Sequence, residues 1–271
     1  MEADRSFQGS IPALYDQYLG PLLFAPYADD LASRLTDLRH GRVLETAAGT
    51  GVVTRALVAA LPDSVSVDAT DLNQPMLDFA ATRLASARVN WQRVDAQVLP
   101  FPDGMFDAVV CQFGVMFLPD KLRAFTEAYR VLRPGGRFVF SVWDRIETNE
   151  FADLITRSVA TLFPDDPPMF MARTPHGHYD TVSLQAQLVT AGFAPVTTEP
   201  LVRESVAPTP RSAAIGYCQG TPMRNEIEAR DATRLEDATT VAAGALAERF
   251  GSGPVVGQMR AFVITATRPS M

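Results

Sequence analysis

The stretch Val43-Leu-Glu-Thr-Ala-Ala-Gly-Thr-Gly-Val-Val-Thr54 decides the fold. Arg42–Glu45 reads as a short strand, Gly49-Thr50-Gly51 as a turn, and Val52–Leu61 as an apolar helix. Gly49 and Gly51 permit positive φ and close backbone approach, which predicts that something lies against this turn at the carboxyl edge of a sheet. A dinucleotide fingerprint would want a third glycine where Thr54 stands, and an acidic Glu45 before the turn disfavours a pyrophosphate there. A carboxylate suits a cationic ligand better, because it accepts hydrogen bonds from an ammonium group directly or through water.

Outward from this turn, short apolar runs alternate with helical patterns, the signature of βαβ units and a parallel sheet. Val65–Thr70 reads as a second strand and Gln74–Ala85 as a helix, with Asn73 placed to cap it and Pro75 tolerated in its first turn. Val89–Val94 and Phe106–Phe113 read as further strands. Asp120–Leu132 carries Leu122, Phe125, Ala128, Tyr129 and Leu132 at helical spacing, and Pro134-Gly135-Gly136 is expected to stop it before a fifth strand, Arg137–Trp143.

Beyond Trp143 the alternation loosens. An apolar helix pattern surrounds Phe151–Phe163, a proline-rich stretch and the loop Thr174-Pro-His-Gly-His-Tyr-Asp follow, and Leu184–Ala191 resumes a helix. Strand-like segments remain at Val196–Arg203 and Met259–Thr267, with mostly helical sequence over 207–256 between them, while Ile11–Leu38 supplies helices ahead of the first strand. The expected organisation is N-terminal cap helices over 1–40, a sheet domain over 41–206 and 257–271 with a lid insertion at 145–182, and a second helical lid at 207–256.

The composition is that of a globular enzyme: 271 residues, 47% hydrophobic, 20% charged. The formal charge of 24 − 31 = −7 disfavours nucleic acid, which needs clustered Lys and Arg. Lys121 is the single lysine, leaving 24 − 1 = 23 arginines, which reads as codon bias and not as chemistry. Without a secretory pattern at the start or an apolar run of roughly 18 residues, the expectation is a cytoplasmic protein that does not enter membranes. Cys111 and Cys218 stand too far apart in sequence for a metal or redox motif.

Glu45 with Gly49-Thr50-Gly51 resembles motif I of the class I S-adenosylmethionine-dependent methyltransferases, and the resemblance continues in order through the following strands. Asp71, in Asp68-Ala-Thr-Asp-Leu-Asn-Gln-Pro-Met-Leu, matches the acidic residue that takes both ribose hydroxyls, with Leu72 and Met76 lining the adenine. Asp95-Ala96 is similar to the pair reading the adenine edge. Phe106-Asp-Ala-Val-Val-Cys-Gln-Phe-Gly matches the fourth strand, with Gln112 facing the methionine moiety, and Leu132-Arg-Pro-Gly-Gly-Arg-Phe matches the turn before strand five. The nearest subgroup is the "type 11" group resembling the ubiquinone/menaquinone-biosynthesis enzymes, which share Tyr15-Asp16 and Tyr18; the resemblance implies that Tyr18 closes over the cofactor. Ala47 departs from the many members that have a further glycine there. The resemblance covers 41–143 closely and 183–203 and 259–267 in outline.

It implies an α/β Rossmann-like sheet of order 3-2-1-4-5-7-6 with the last strand antiparallel, helical lid insertions, and transfer of a methyl group by in-line displacement with S-adenosyl-L-homocysteine leaving. The expected cofactor ligands are Tyr18, Glu45, Ala47, Gly49, Thr50, Gly51, Asp71, Leu72, Met76, Asp95, Ala96 and Gln112, with no metal. Asp68 competes with Asp71 for the ribose, but Asp71 stands at the strand end. The Phe, Met and Tyr content of the lid segments implies a small, largely apolar acceptor; a homodimer is admitted. His176 and His178 are candidates for removing a proton from the acceptor, against a plain reading as a turn leading to Asp180 as a helix cap. Asp166-Pro-Pro-Met-Phe is similar to a motif of amino-group methyltransferases but follows strand five instead of strand four, and so reads as a loop. An NAD(P)-dependent oxidoreductase and a cofactor-binding protein with non-methylating chemistry are the rivals.

Overall fold

A strand buried on both faces reads as an unbroken apolar run, and a helix covering it needs only one apolar stripe. That pattern is realised in the computed structural model, which describes Phe7 and residues 9–270. The chain enters through α1 (Ile11–Leu14), a wide π-type helical stretch (Tyr15–Phe24) and α2 (Ala25–Ser33). It then alternates β1 (Gly41–Thr46), α3 (Val52–Ala60), β2 (Val65–Asp71), α4 (Gln74–Arg83), β3 (Val89–Arg93), β4 (Phe106–Gln112), α5 (Lys121–Val131) and β5 (Leu132–Trp143). α6 (Glu150–Ala160), α7 (Phe170–Arg173), α8 (Thr181–Thr190), β6 (Val196–Ala207), α9 (Pro210–Gln219), α10 (Met223–Asp231), α11 (Leu235–Phe250) and β7 (Val255–Thr267) complete it.

The seven strands lie in the expected order, β3-β2-β1-β4-β5-β7-β6. β1 to β5 pair in parallel, with Val43 opposite both Val67 and Ala108, Ala69 opposite Trp91, and Val110 opposite Val139. β7 runs antiparallel to β5: the Arg268 N–H donates to Gly136 O and the Asp144 N–H to Arg260 O, so one strand's numbers rise as the other's fall. Because β1 and β4 are neighbours although β2 and β3 come between them in sequence, the loops after β1 and β4 emerge side by side at the carboxyl edge, where such sheets bind ligands.

The chain divides into two compact units. The sheet unit comprises Tyr27–Val142, Asp180–Pro200 and Phe262–Met271; the helical unit comprises Met1–Pro26, Trp143–Tyr179 and Leu201–Ala261. These limits differ from the expected 1–40, 145–182 and 207–256. One reason is strand length: β6 continues to Ala207 and β7 begins at Val255, beyond the expected Arg203 and Met259. Val255, Gly257 and Met259 are buried between exposed Val256 and Gln258, a two-residue alternation that the preceding Gly251-Ser-Gly-Pro signal obscures in sequence.

The core of the sheet unit is aromatic. The Phe125 ring lies 5.6 Å from Phe140 and 5.9 Å from Phe138, and Tyr129 meets Phe193 edge-on at 5.2 Å. α5 is capped at its start by the Asp120 carboxylate, which accepts from the Arg123 N–H at 2.9 Å. Its last carbonyls are satisfied from far away in sequence: Arg268 Nη1 donates to Tyr129, Arg130 and Leu132 oxygens. The Pro134-Gly135-Gly136 run does not delay the fifth strand as expected. β5 begins at Leu132, paired with Phe106, and the ladder absorbs the glycines as a register irregularity between Phe106 and Ala108.

In the helical unit, α9 begins with a reciprocal cap between Thr209 and Ser212. The Asp166-Pro-Pro loop is tied down by Arg230, whose Nε and Nη2 donate to the Asp166 carbonyl and carboxylate at 2.6 and 2.9 Å. Asp180 caps α8 by accepting from the Val182 and Ser183 N–H groups. Among the described residues, no helix is long and apolar enough to cross a membrane, and no group of three or more His, Cys, Asp or Glu side chains is placed to hold a metal ion.

Candidate active site

The turn after β1 is built from backbone conformations that side chains resist. Gly49 and Gly51 have φ of 55° and 78°, and Ala47 is held at 55° despite its methyl. The structure revises what the glycines are for. A Cβ at Gly51 would stand 2.8 Å from the Trp91 ring and 3.2 Å from the Ala80 methyl, so this glycine serves packing against β3 and α4. A Cβ at Gly49 would meet only the Met76 methyl, at 3.6 Å.

Two carboxyl groups converge on this turn. Glu45, at the end of β1, is 2% exposed and accepts from the Thr54 hydroxyl at 2.6 Å. Asp71, at the end of β2, accepts from the Gly49 N–H through one oxygen at 2.8 Å and from the Asn73 N–H through the other at 2.7 Å. Burial pushes the Glu45 carboxyl up to about 8, with Thr54 opposing and the Asp71 charge reinforcing the shift. Burial raises Asp71 as well, against the hydrogen bonds from Asn73 and Gly49. The site is therefore a buried acidic pair whose desolvation outweighs the nearby Arg55 charge at Glu45. Thr50 Oγ1 adds a buried hydroxyl with no hydrogen-bond partner among the described residues.

The competing Asp68 is occupied otherwise. Its carboxylate pairs with Arg42 at 2.7 Å and accepts from Asn90 Nδ2 at 3.0 Å, which ties β1, β2 and β3 together. Asn73 occupies the N-cap position of α4, but its side chain does not cap; the amide turns back to Asp71 at 3.3 Å. Beyond Asp71, Leu72 is 40% exposed while Met76 is buried beneath the turn. Asp95 and Ala96 follow β3 half-buried, with Asp95 accepting from the Gln97 N–H at 2.9 Å. Gln112 ends β4 opposite Ser141. Eleven expected cofactor residues, from Glu45 to Gln112, thus belong to the loops, strand ends and first turn of α4 in the sheet unit.

Tyr18 lies in the π-type stretch of the helical unit, where its Cβ would be 3.1 Å from a side chain at Gly216. The histidine expectation needs correcting in one half. His176 is 4% exposed, its ring lies 5.8 Å from that of Trp143, and Nδ1 is 2.8 Å from the Asp144 carbonyl oxygen. A carbonyl only accepts, so Nδ1 carries the proton. Burial pushes the ring's pKa down to about 4, which makes it a weak base fixed by packing. His178 is half-buried. Cys111 is a core thiol, 2% exposed and pushed up to about 11 by burial.

Two contributors escaped the sequence reading. Thr54 counted there only as a missing glycine, yet its hydroxyl is the partner of Glu45; three residues into a helix that starts beside an acid is the spacing that carried the signal. Asn73 was read as a cap because its position is that of a cap.

Comparison with known proteins agrees with this fold. Residues 43–136 match the family model described as a methyltransferase domain. The ubiquinone/menaquinone biosynthesis C-methyltransferase UbiE of Pseudomonas aeruginosa is 31% identical over 177 residues, covering 60% of this chain and 69% of that enzyme. Its namesake from Geotalea daltonii is 36% identical over 104 residues, covering 37% of this chain and 44% of that enzyme. Among solved structures, phosphoethanolamine N-methyltransferase 2 of Haemonchus contortus, in complex with phosphomonomethylethanolamine and S-adenosylhomocysteine, superposes with a TM-score of 0.61 at 17% identity, covering 96% of this chain and 57% of that one.

Proposed function

We propose that this chain, which belongs to the class I S-adenosylmethionine-dependent methyltransferases of the UbiE type, holds its cofactor against the 45–51 turn and methylates a small, largely apolar acceptor. The observation that carries the reading is the buried Glu45–Asp71 pair around the Gly49 N–H. The residues present fit the cofactor: an acid for the ammonium of its methionine end, Asp71 for ribose hydroxyls, Leu72 and Met76 for the adenine, and the Thr50 hydroxyl.

Bound S-adenosylmethionine supplies a methyl group already activated by the sulfonium charge. The chain's own work is positioning and exclusion of water, which can lower a barrier by about 7–11 kcal/mol. Glu45 would be the counter-charge for the ammonium of the methionine end, its carboxyl oriented by the Thr54 hydroxyl that donates to it at 2.6 Å. Asp71 is held by two backbone N–H groups, so it faces the ribose without reorganising. Gln112 orients the methionine end. A base is needed only for an acceptor that is protonated at working pH, and His178 is the candidate; His176, held on the Asp144 carbonyl, supports its loop.

The acceptor class rests on the Phe, Met and Tyr side chains of 145–182 and 207–256. We assign the protein to the cytoplasm, with no nucleic-acid or membrane partner and a homodimer as the assembly to test. Calorimetry with S-adenosylhomocysteine tests the site: Glu45→Gln and Asp71→Ala should each weaken binding by about tenfold or more, and wild-type affinity in both would end the reading. Incubation with labelled cofactor and a small-molecule extract, followed by mass spectrometry, tests the acceptor. A label in RNA, DNA or protein would refute a small-molecule substrate.

A further inference from the structure

Gly114 has φ of −99° and ψ of −31°, values any residue adopts, so its backbone does not call for glycine. Space does. A Cβ there would stand 2.4 Å from the Ala47 methyl and 2.7 Å from Cys111 Sγ. Two carbons 2.4 Å apart occupy the same volume, so one methyl group fits between the loop after β1 and the loop after β4, and Ala47 supplies it.

Neither loop is free to yield. The β4 side is anchored: the Phe113 N–H donates to Ser141 O at 3.1 Å, the Phe113 ring sits edge-on to Tyr27 at 5.2 Å, and the Phe117 N–H donates to Gly114 O at 3.0 Å. Phe113 holds φ of 52°, a conformation that a bulky side chain keeps only where its surroundings impose it. Ala47 is exposed on its far side while Gly114 is buried. The turn is held as well, by the Ala48 N–H on Thr70 O at 2.9 Å and the Gly49 N–H on Asp71 at 2.8 Å, so an extra atom at 114 strains the 47–51 turn together with its Asp71 contact.

We propose that Gly114 is a positioning residue for the cofactor: its missing side chain sets the distance between the glycine turn and the loop that carries Gln112, through direct contact with Ala47. The residue at 47 and the residue at 114 form a coupled pair in which a methyl on one excludes a methyl on the other. This rests on the cofactor lying against the 45–51 turn.

The test is the affinity for S-adenosylhomocysteine, measured by calorimetry beside the thermal midpoint of the cofactor-free protein. Gly114→Ala should bind about tenfold or more weakly, since a displacement near one ångström in a positioned site has effects of that size. In the Ala47→Gly/Cys111→Ala background, where both obstructing atoms are gone, adding Gly114→Ala should change affinity by less than about twofold. A purely structural role would lower the midpoint and leave the affinity of the folded protein untouched; that result overturns the proposal. So does an equal loss on adding Gly114→Ala in both backgrounds. If Gly114→Ala alone does not fold, the compensated triple variant must fold and bind like its parent, and its failure to do so is also fatal. Asp71→Ala separates the two readings: retained affinity there places the cofactor elsewhere, whatever Gly114 does.

Discussion

The turn after β1 and the histidine loop of the helical unit both bury a titratable side chain, and they bury it differently. At the turn, Glu45 has the Thr54 hydroxyl as its hydrogen-bond partner, the Arg55 charge only partly offsets its burial so that its pKa is pushed up to about 8, and the backbone around it holds positive φ at Ala47, Gly49 and Gly51. In the loop, His176 is neutral, packed beside Trp143, and anchored on the Asp144 carbonyl. One region stores unmet electrostatic demand next to strained backbone; the other has settled its polar groups internally. Unmet demand marks the binding site better than the presence of a residue type common in catalysis.

The comparison breaks most visibly at Gly51. Gly51→Ala drives a methyl into Trp91 and keeps φ at 78°, so it should cost about 3 kcal/mol or more and lower the thermal midpoint by roughly 6–12 °C. Gly49→Ala, with room for its methyl, should cost only the conformational strain of about 1 kcal/mol. Scanning calorimetry of the two variants checks the contrast, and equal midpoints would refute the packing role of Gly51. Next in size, Asp71→Asn loses the charge and turns an amide N–H toward one of the two backbone N–H donors, so S-adenosylhomocysteine should bind about ten- to a hundredfold more weakly and the thermal midpoint should fall with the lost hydrogen bond.

The pH response separates the two regions further. Glu45 is raised from 4.5 to about 8 in the fold, so the stability it contributes is complete below 4.5 and drains away as pH rises through about 8. Glu45→Gln should remove that loss, and its midpoint advantage over the parent should grow across that window in the absence of cofactor. His176 runs the other way. Its value falls from 6.5 to about 4, so its contribution is complete above 6.5 and is lost as pH falls through about 4. His176→Asn should flatten the acid limb of the stability curve while leaving kcat within about threefold of the parent. A hundredfold loss of kcat with an unchanged KM would return His176 to the chemistry.

Most of the sheet was legible because its central strands β1, β2 and β4 are buried on both faces and its helices on one, which leaves periodic apolar runs such as Phe106–Gln112 and the Phe125 stripe. The ordered motifs likewise put Glu45, Asp71, Asp95 and Gln112 at or just past strand ends, because the alternation of strands and helices defines those ends. Less legible were features made by residues distant in sequence. Arg268 closing α5, Asp68 being claimed by Arg42 and Asn90, and Trp91 dictating glycine at 51 all need the sheet assembled before the partners meet. The misjudged Asn73 and His176 share one cause: a side chain's hydrogen-bond partner is chosen by competition among neighbours, and position along the chain names only the nearest competitor.

By itself, the sequence determined the alternating α/β order, the glycine turn and the acids beside it, because these follow from local periodicity and from which residues tolerate positive φ. Only the tertiary structure decided which acid is buried deeply enough to have its pKa pushed up, why Gly51 cannot change, and that a single methyl fills the gap between Ala47 and Gly114. The physical reason is that burial, and with it both pKa and steric exclusion, depends on every neighbour at once. A linear chain does not show its neighbours until strands far apart in sequence lie side by side.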